Sequence, residues 1–190
     1  MVCTDLIRRT SNPTGTLVIV DHVLHTERLI LRPVTADDHA VLLAHWTAPD
    51  VRRFLFDGVA PSAAGITEAI EASTRDFGRA GYGLWLIHEK DGTDLVGTDL
   101  VGTAGLRPLE DLGLEIFYSL APGSCGRGYA TEAARAVLEH ALGPVGLPEV
   151  LAEVDEGNTA SIAVIERLGM TPFDVVPGVL GPMIRYQKTP

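Results

Sequence analysis

Cysteine is scarce in this 190-residue chain, which has two, Cys3 and Cys125. They form no Cys-x-x-Cys pair and stand near no histidine at a metal-ligand spacing, so neither a disulfide framework nor a metal site is expected. A reducing cytoplasm fits that usage. Long apolar runs are also missing. No stretch reaches the roughly 18 consecutive apolar residues of a membrane span. Arg8 and Arg9 are followed by Thr10, Ser11 and Asn12 instead of the apolar core of a signal peptide. The chain lacks a basic surplus as well: its net charge of -10 argues against nucleic-acid partners. Such a field draws in cations, amines among them, and opposes a phosphate-rich ligand unless local backbone donors outweigh it.

What is present is 46% apolar composition, enough for one core at this length. Residues 1–25 lack a clear period and hold the turn signal Asn12-Pro13-Thr14-Gly15 and one β-prone run, Leu17-Val18-Ile19-Val20. They are read as an extension to a domain over 26–190. Arg28 to Pro33 alternates like a strand, and Thr35-Ala36-Asp37-Asp38 offers a helix cap with an acidic first turn. The helix that follows is expected to stop at Pro49. A second runs from about Ser62 to Phe77 and closes at Gly78 and Gly81. Strands are expected at 82–88, after the Asp91-Gly92 hairpin turn, and at 112–120. A helix over 127–142, a strand over 149–154, a helix over 158–168 and two last strands at 172–177 and 182–188 complete an α+β chain on one mixed, mostly antiparallel sheet.

The hairpin carries an oddity. Thr93-Asp94-Leu95-Val96-Gly97 is repeated at once as Thr98-Asp99-Leu100-Val101-Gly102. An odd insertion would turn every later side chain to the other sheet face, so a longer turn or a bulge must absorb it. The sequence leaves open which copy pairs.

The chemistry concentrates where strand, glycine-rich loop and helix start follow one another, in Tyr118-Ser119-Leu120-Ala121-Pro122-Gly123-Ser124-Cys125-Gly126-Arg127-Gly128-Tyr129-Ala130-Thr131-Glu132-Ala133. Unpaired N–H groups and the helix dipole make such a junction a seat for phosphate. It is no Walker loop, because no Gly-Lys-Ser or Gly-Lys-Thr follows, and no dinucleotide fingerprint, because the third glycine and its βαβ setting are missing. On its own the loop is equally a plain turn.

Gly126-x-Gly128-Tyr129-Ala130-Thr131-Glu132-Ala133 resembles the pyrophosphate-binding motif of the GNAT acetyltransferases, most of all the branch that acetylates N-terminal amines of ribosomal proteins. Asn158 to Met170 resembles the later motif of that family, and Thr26 to Pro33 the opening strand of that branch. The resemblance covers about residues 26–188. It implies helices on both faces of the sheet, with the fourth and fifth strands (112–120 and 149–154) splayed at a bulge to form a coenzyme A cleft. It also implies acetyl-CoA as cosubstrate, no metal, and an amine acceptor, with a homodimer left open. Amides from Gly123 through Ser124, Cys125, Gly126, Arg127, Gly128, Tyr129 and Ala130 to Thr131 would hold the pyrophosphate. Backbone groups near Ser119 and Leu120 would pair with the pantetheine arm, Asn158 would bond its end, and Ser161 would protonate the leaving thiolate. Two departures stand out: a basic or glutamine residue common in the family is Gly123 here, and a common aromatic is Cys125. The tyrosine acid of many members falls at Ile165.

Amide formation needs a neutral amine and a place for carbonyl charge. An α-amine, with a pKa of about 7.7–8.0, needs less help than a lysine near 10.4. Direct attack is therefore expected, with backbone N–H groups near Ser119 polarising the carbonyl. Glu115, on the strand beside the thioester, is the candidate base, with His88, Glu153 and Asp155 behind it. Trp46, Phe54, Phe56, Phe77 and Trp85 are candidate lining for an acceptor pocket, and Asp50, Asp57 and Asp174 candidate cation anchors. A coenzyme A sensor without catalysis, and an interaction domain whose loop is only a turn, are the competing readings.

Overall fold

The computed structural model describes residues 8–11, 17–20, 22–90 and 100–190. The turns expected at 12–15 and at 91–92 lie outside the described residues, as does the first copy of the repeat. Near the N-terminus β1 (Arg8–Ser11) and β2 (Leu17–Val20) pair antiparallel. The main sheet starts with β3 (Leu24–His25), inside the stretch read as an extension, and continues with β4 (Leu29–Pro33).

Three helices follow β4, where the sequence suggests two: α1 (His39–Thr47), α2 (Pro49–Leu55) and α3 (Ala63–Ala80). The extra one is α2. Pro49 ends the first helix, as expected, but also opens the next, because proline at a first helical position gives up an N–H that would be unpaired anyway. Asp38 accepts hydrogen bonds from the N–H and hydroxyl of Thr35 at 2.7 and 2.9 Å, closing the turn that leads into α1. Gly78 lies within α3. The helix is closed by Gly81 alone, in the left-handed region at φ 77°.

The remaining elements are β5 (Leu84–Glu89), β6 (Leu100–Leu109), β7 (Gly113–Leu120), α4 (Tyr129–Leu142), β8 (Val150–Asp155), α5 (Thr159–Arg167), β9 (Thr171–Gly178) and β10 (Gly181–Lys188). The main sheet runs β3-β4-β5-β6-β7-β8-β10-β9. All its neighbours are antiparallel except β7 and β8, which the crossover through α4 makes parallel. The second copy of the repeat enters the sheet: Gly102 pairs with Ile87 and Leu100 with His88, leaving Val101 as a bulge.

Helices cover both faces. On one, Ala133, Val137 and Ala141 of α4 and Ile165 of α5 pack with Leu31, Ile87, Ala104 and Ile116 of the sheet. On the other, Leu42, Val51, Ile66 and Ile70 of α1–α3 pack with Leu84 and Leu86. No helix among the described residues is long and apolar enough to cross a membrane.

Candidate active site

A break in the sheet makes the site. β7 and β8 meet at one bridge, Glu115 opposite Leu151, although β7 is paired along its length with β6 and β8 with β10. Beyond that bridge the two strands part. The expected bulge is absent, since the register of β7 against β6 runs without a shift from Gly113 to Leu120. The opening comes from lost pairing between β7 and β8, with no inserted residue.

Which backbone groups face the gap follows from one bond. Ala121 N–H donates to the Val101 carbonyl, so odd-numbered residues of β7, Ser119 included, exchange hydrogen bonds with β6. Tyr118 and Leu120 therefore turn their N–H and C=O groups into the gap. Side chains alternate the other way. Tyr118 and Leu120 lie on the α4/α5 face, whereas Glu115, Phe117 and Ser119 lie on the α1/α2 face.

A cavity of about 890 Å³ passes through this gap. Ser119, Leu120, Cys125, Gly126, Gly128, Ala130, Thr131, Asn158, Ser161 and Glu115 all line it, together with Asp50, Phe54, Tyr118, Glu153 and Asp155. Four of the residues named for cofactor binding do not. Gly123 and Ser124 lie in a single helical turn on the approach to α4. The Arg127 side chain turns to Glu89 at 2.6 Å. Tyr129 is buried, its ring under the guanidinium groups of Arg28 and Arg127.

At the start of α4, Gly128 occupies the cap position at φ 81°, so no side chain blocks the first N–H groups of the helix. A Cβ at Gly126 would meet nothing within 4 Å, which leaves the loop open to a ligand. The Asn158 side chain accepts from the Ser161 N–H at 3.2 Å and caps α5. The Tyr118 hydroxyl donates to the Ser161 carbonyl at 3.3 Å, and burial pushes its pKa up to about 12. This phenol was not singled out from the sequence, because the contact joins a strand to a helix 43 positions away. Ile165, where the resemblance would put a tyrosine acid, is buried in the core.

On the other face a polar chain runs under the gap. Trp46 Nε1–H donates to Thr103 Oγ1 at 3.2 Å, Thr103 and Ser119 share a bond of 2.8 Å, and Ser119 Oγ meets His45 Nε2 at 2.8 Å. Burial lowers the His45 pKa to about 4, so the ring is neutral at pH 7. Trp46, Phe77 and Trp85 are buried core residues, and Phe56 packs edge-on against Trp46. Of the five aromatics considered, Phe54 alone lines the cavity. Of the three aspartates considered, Asp50 lines it and Asp174 sits on β9 outside it.

The carboxylates differ in how they are held. Glu115 is 5% exposed and paired to Arg107 Nε at 2.6 Å; burial raises its pKa more than Arg107 lowers it. Glu153 is paired to Arg185 Nε at 2.6 Å. Asp155 is 3% exposed, and its Oδ1 receives no hydrogen bond from a described residue. His88, buried on β5, lies outside the cavity lining.

The model of the GNAT acetyltransferase domain matches residues 28–171. The uncharacterized N-acetyltransferase p20 of Bacillus licheniformis is 28% identical over 151 residues, which are 76% of this chain and 80% of that protein. YkkB of Bacillus subtilis is 30% identical over 151 residues, 77% of this chain and 84% of its own. Among solved structures, an acetyltransferase of Agrobacterium tumefaciens superposes with a TM-score of 0.74 at 25% identity, covering 92% of this chain and 98% of that one. The fold also matches RimL, a ribosomal L7/L12 α-N-protein acetyltransferase solved with coenzyme A, with a TM-score of 0.72 at 15% identity over 88% of this chain and 97% of that one.

Proposed function

From the premise that this chain belongs to the GNAT acetyltransferases and is an N-acetyltransferase, we propose that it moves the acetyl group of acetyl-CoA to a primary amine in one step, the two substrates meeting through the sheet. The observation that carries this reading is the parting of β7 from β8 after a single bridge, with one cavity open to both faces.

The amides from Gly126 to Thr131 receive the pyrophosphate, where the helix dipole and the bare Gly128 cap favour an anion. The pantetheine arm lies along β7 against the free backbone groups of Leu120 and Tyr118, with Asn158 and Ser161 on the opposite bank. It runs from the wide end of the gap towards the Glu115–Leu151 bridge. Tyr118 N–H is then the last unpaired donor before that bridge and polarises the thioester carbonyl. Glu115, at the root of the gap on the acceptor face, takes the proton of the attacking amine; its raised pKa makes it a stronger base than an exposed carboxylate. Ser161 or the protonated phenol of Tyr118 returns a proton to the thiolate.

Thermal unfolding with and without acetyl-CoA tests the donor half. At about 100 times its dissociation constant the ligand adds roughly 2.7 kcal/mol, a rise in Tm of about 5–11 °C. Folded Gly126→Trp should lose that shift, and amine-dependent thiol release should accompany binding in the parent. No shift in the parent would refute the reading.

A further inference from the structure

We propose that the acceptor half of the cleft is a cation site built on Asp155, and that the amine acetylated there is a small molecule carrying a second ammonium group. This rests on the reading of the cleft as an acetyl-transfer site. Asp155 ends β8, lines the cavity and is almost wholly buried, yet one oxygen of its carboxylate receives no hydrogen bond from a described residue. Burying an unfilled acceptor of this kind is costly, and native sites seldom leave one without reason.

The setting says what would fill it. Glu115 and Glu153 share the same cavity, but each already holds an arginine, Arg107 and Arg185. Asp155 forms no ion pair among the described residues. Burial, then the charge of Asp57 in the left-handed bend after α2, then that of Glu153, push its pKa up, so the site is short of positive charge. A bound ammonium supplies that charge and donates to the empty oxygen.

That ammonium differs from the nitrogen that reacts, which must be neutral to attack. Counting four residues along both strands from the Glu115–Leu151 bridge sets Asp155 level with Ser119, on the far bank and on the same sheet face. The reacting nitrogen sits beside Tyr118 N–H, and the second charge sits across the gap. A monoamine has no group for that position, and a peptide's N-terminal amine by itself supplies none. A linear diamine and an amino sugar both do.

The test is steady-state thiol release from acetyl-CoA with 1,4-diaminobutane, kanamycin and butylamine as acceptors. One of the two polycations should exceed butylamine in kcat/KM by at least about 30-fold, the worth of one charge-assisted hydrogen bond. Which one does so distinguishes the linear from the sugar source. Asp155→Asn should reduce that preference at least about tenfold, mainly through KM, and exposed Asp57→Asn should reduce it less, in the same direction. The acetyl-CoA shift in Tm should persist in both variants. Equal use of butylamine and the polycations overturns the cation site, as does a preference untouched by both substitutions. A fall in kcat of the same factor for all acceptors overturns it too, by making Asp155 a proton acceptor. In each of those cases a retained acetyl-CoA shift leaves the donor site standing, whereas its absence in the parent would sink the transferase reading itself.

Discussion

Glu132, on the first turn of α4, grips Arg28 twice: Oε1 accepts from its backbone N–H at 2.8 Å and Oε2 from its Nε at 2.7 Å. The Thr26 hydroxyl adds a third bond at 2.6 Å, and Arg28 Nη1 donates to the Arg127 carbonyl at 2.9 Å. Two motifs recognised separately in the sequence, Thr26 to Pro33 and Gly126 to Ala133, are therefore one structure, in which the segment leading into β4 clamps the glycine loop before α4.

Glu132→Ala removes three hydrogen bonds from a carboxylate that is 16% exposed and should lower stability by about 2 kcal/mol, or roughly 4–8 °C in Tm. Burial alone would raise the Glu132 pKa, but the bonds from Thr26 and Arg28 outweigh it and leave it below its ordinary 4.5. The stabilisation is thus complete above about pH 4.5 and fades as acid protonates the folded carboxylate. The acid limb of the parent's stability curve should be flatter in Glu132→Gln, measured by urea unfolding from pH 6 to pH 3.

His45 titrates in a different window. Its folded pKa of about 4 lies below the ordinary 6.5, so the unfolded chain binds more protons between those values. Stability is full above pH 6.5 and declines as the pH falls towards 4, by about 2 kcal/mol between pH 7 and pH 5. His45→Gln can still bond Ser119 and should lose most of that decline. An unchanged pH dependence would mean that the His45 ring is hydrated in solution.

Local physics was legible in the sequence, and contacts between distant segments were not. The glycine loop before α4, the Asn158 cap and the strand-helix order rest on residues within a turn of one another. The contact of His45 with Ser119 spans 74 positions and that of Tyr118 with Ser161 spans 43. No periodicity carries such information. The parting of β7 from β8 is likewise a failure of pairing between strands that read as ordinary, and α2 was missed because a proline that ends one helix also starts another. Glu115 could be named, but its partner Arg107, on the neighbouring strand, could not.

Gly102 shows how tightly the repeat's second copy is built in. A Cβ there would lie 2.1 Å from the Ser119 carbonyl oxygen and 2.9 Å from Leu120 Cα, both backbone atoms that cannot swing aside. Gly102→Ala should cost about 3 kcal/mol, read as a lower urea midpoint, by forcing β6 and β7 apart at the edge of the gap. A neutral result would mean that the two strands separate there in solution.

Gly123 offers a gain. It lies in a turn with open space around its Cα, and its φ suits any residue. If the loop before α4 holds the pyrophosphate, Gly123→Arg adds a solvent-exposed guanidinium on the approach to it, worth about 0.3–1 kcal/mol. The dissociation constant of acetyl-CoA should fall about two- to fivefold at low salt and return towards the parent value at 0.5 M salt, where screening shortens the reach of the charge. Calorimetric titration at both salt concentrations checks this.

The proton acceptor can be tested by how its loss depends on pH. Glu115→Gln keeps the shape of the side chain and a hydrogen-bond acceptor for Arg107, so the ion pair is weakened while the strand stays in place. If Glu115 takes the amine proton, kcat/KM at pH 7 should fall about 100-fold, a usual contribution for a general base. The deficit should shrink towards pH 9, where a larger share of an amine with pKa near 10 is neutral without help. Loss of a structural ion pair behaves otherwise: it lowers the rate by one factor at every pH and shows equally in Arg107→Gln. Ser161→Ala and Tyr118→Phe separate the other proton. The true donor's removal should depress acetyl transfer from acetyl-CoA more than transfer from an aryl thioester, whose thiolate leaves without protonation. If neither substitution distinguishes the two donors, the thiolate departs unassisted, and the backbone of Tyr118 and the geometry of the gap carry the reaction.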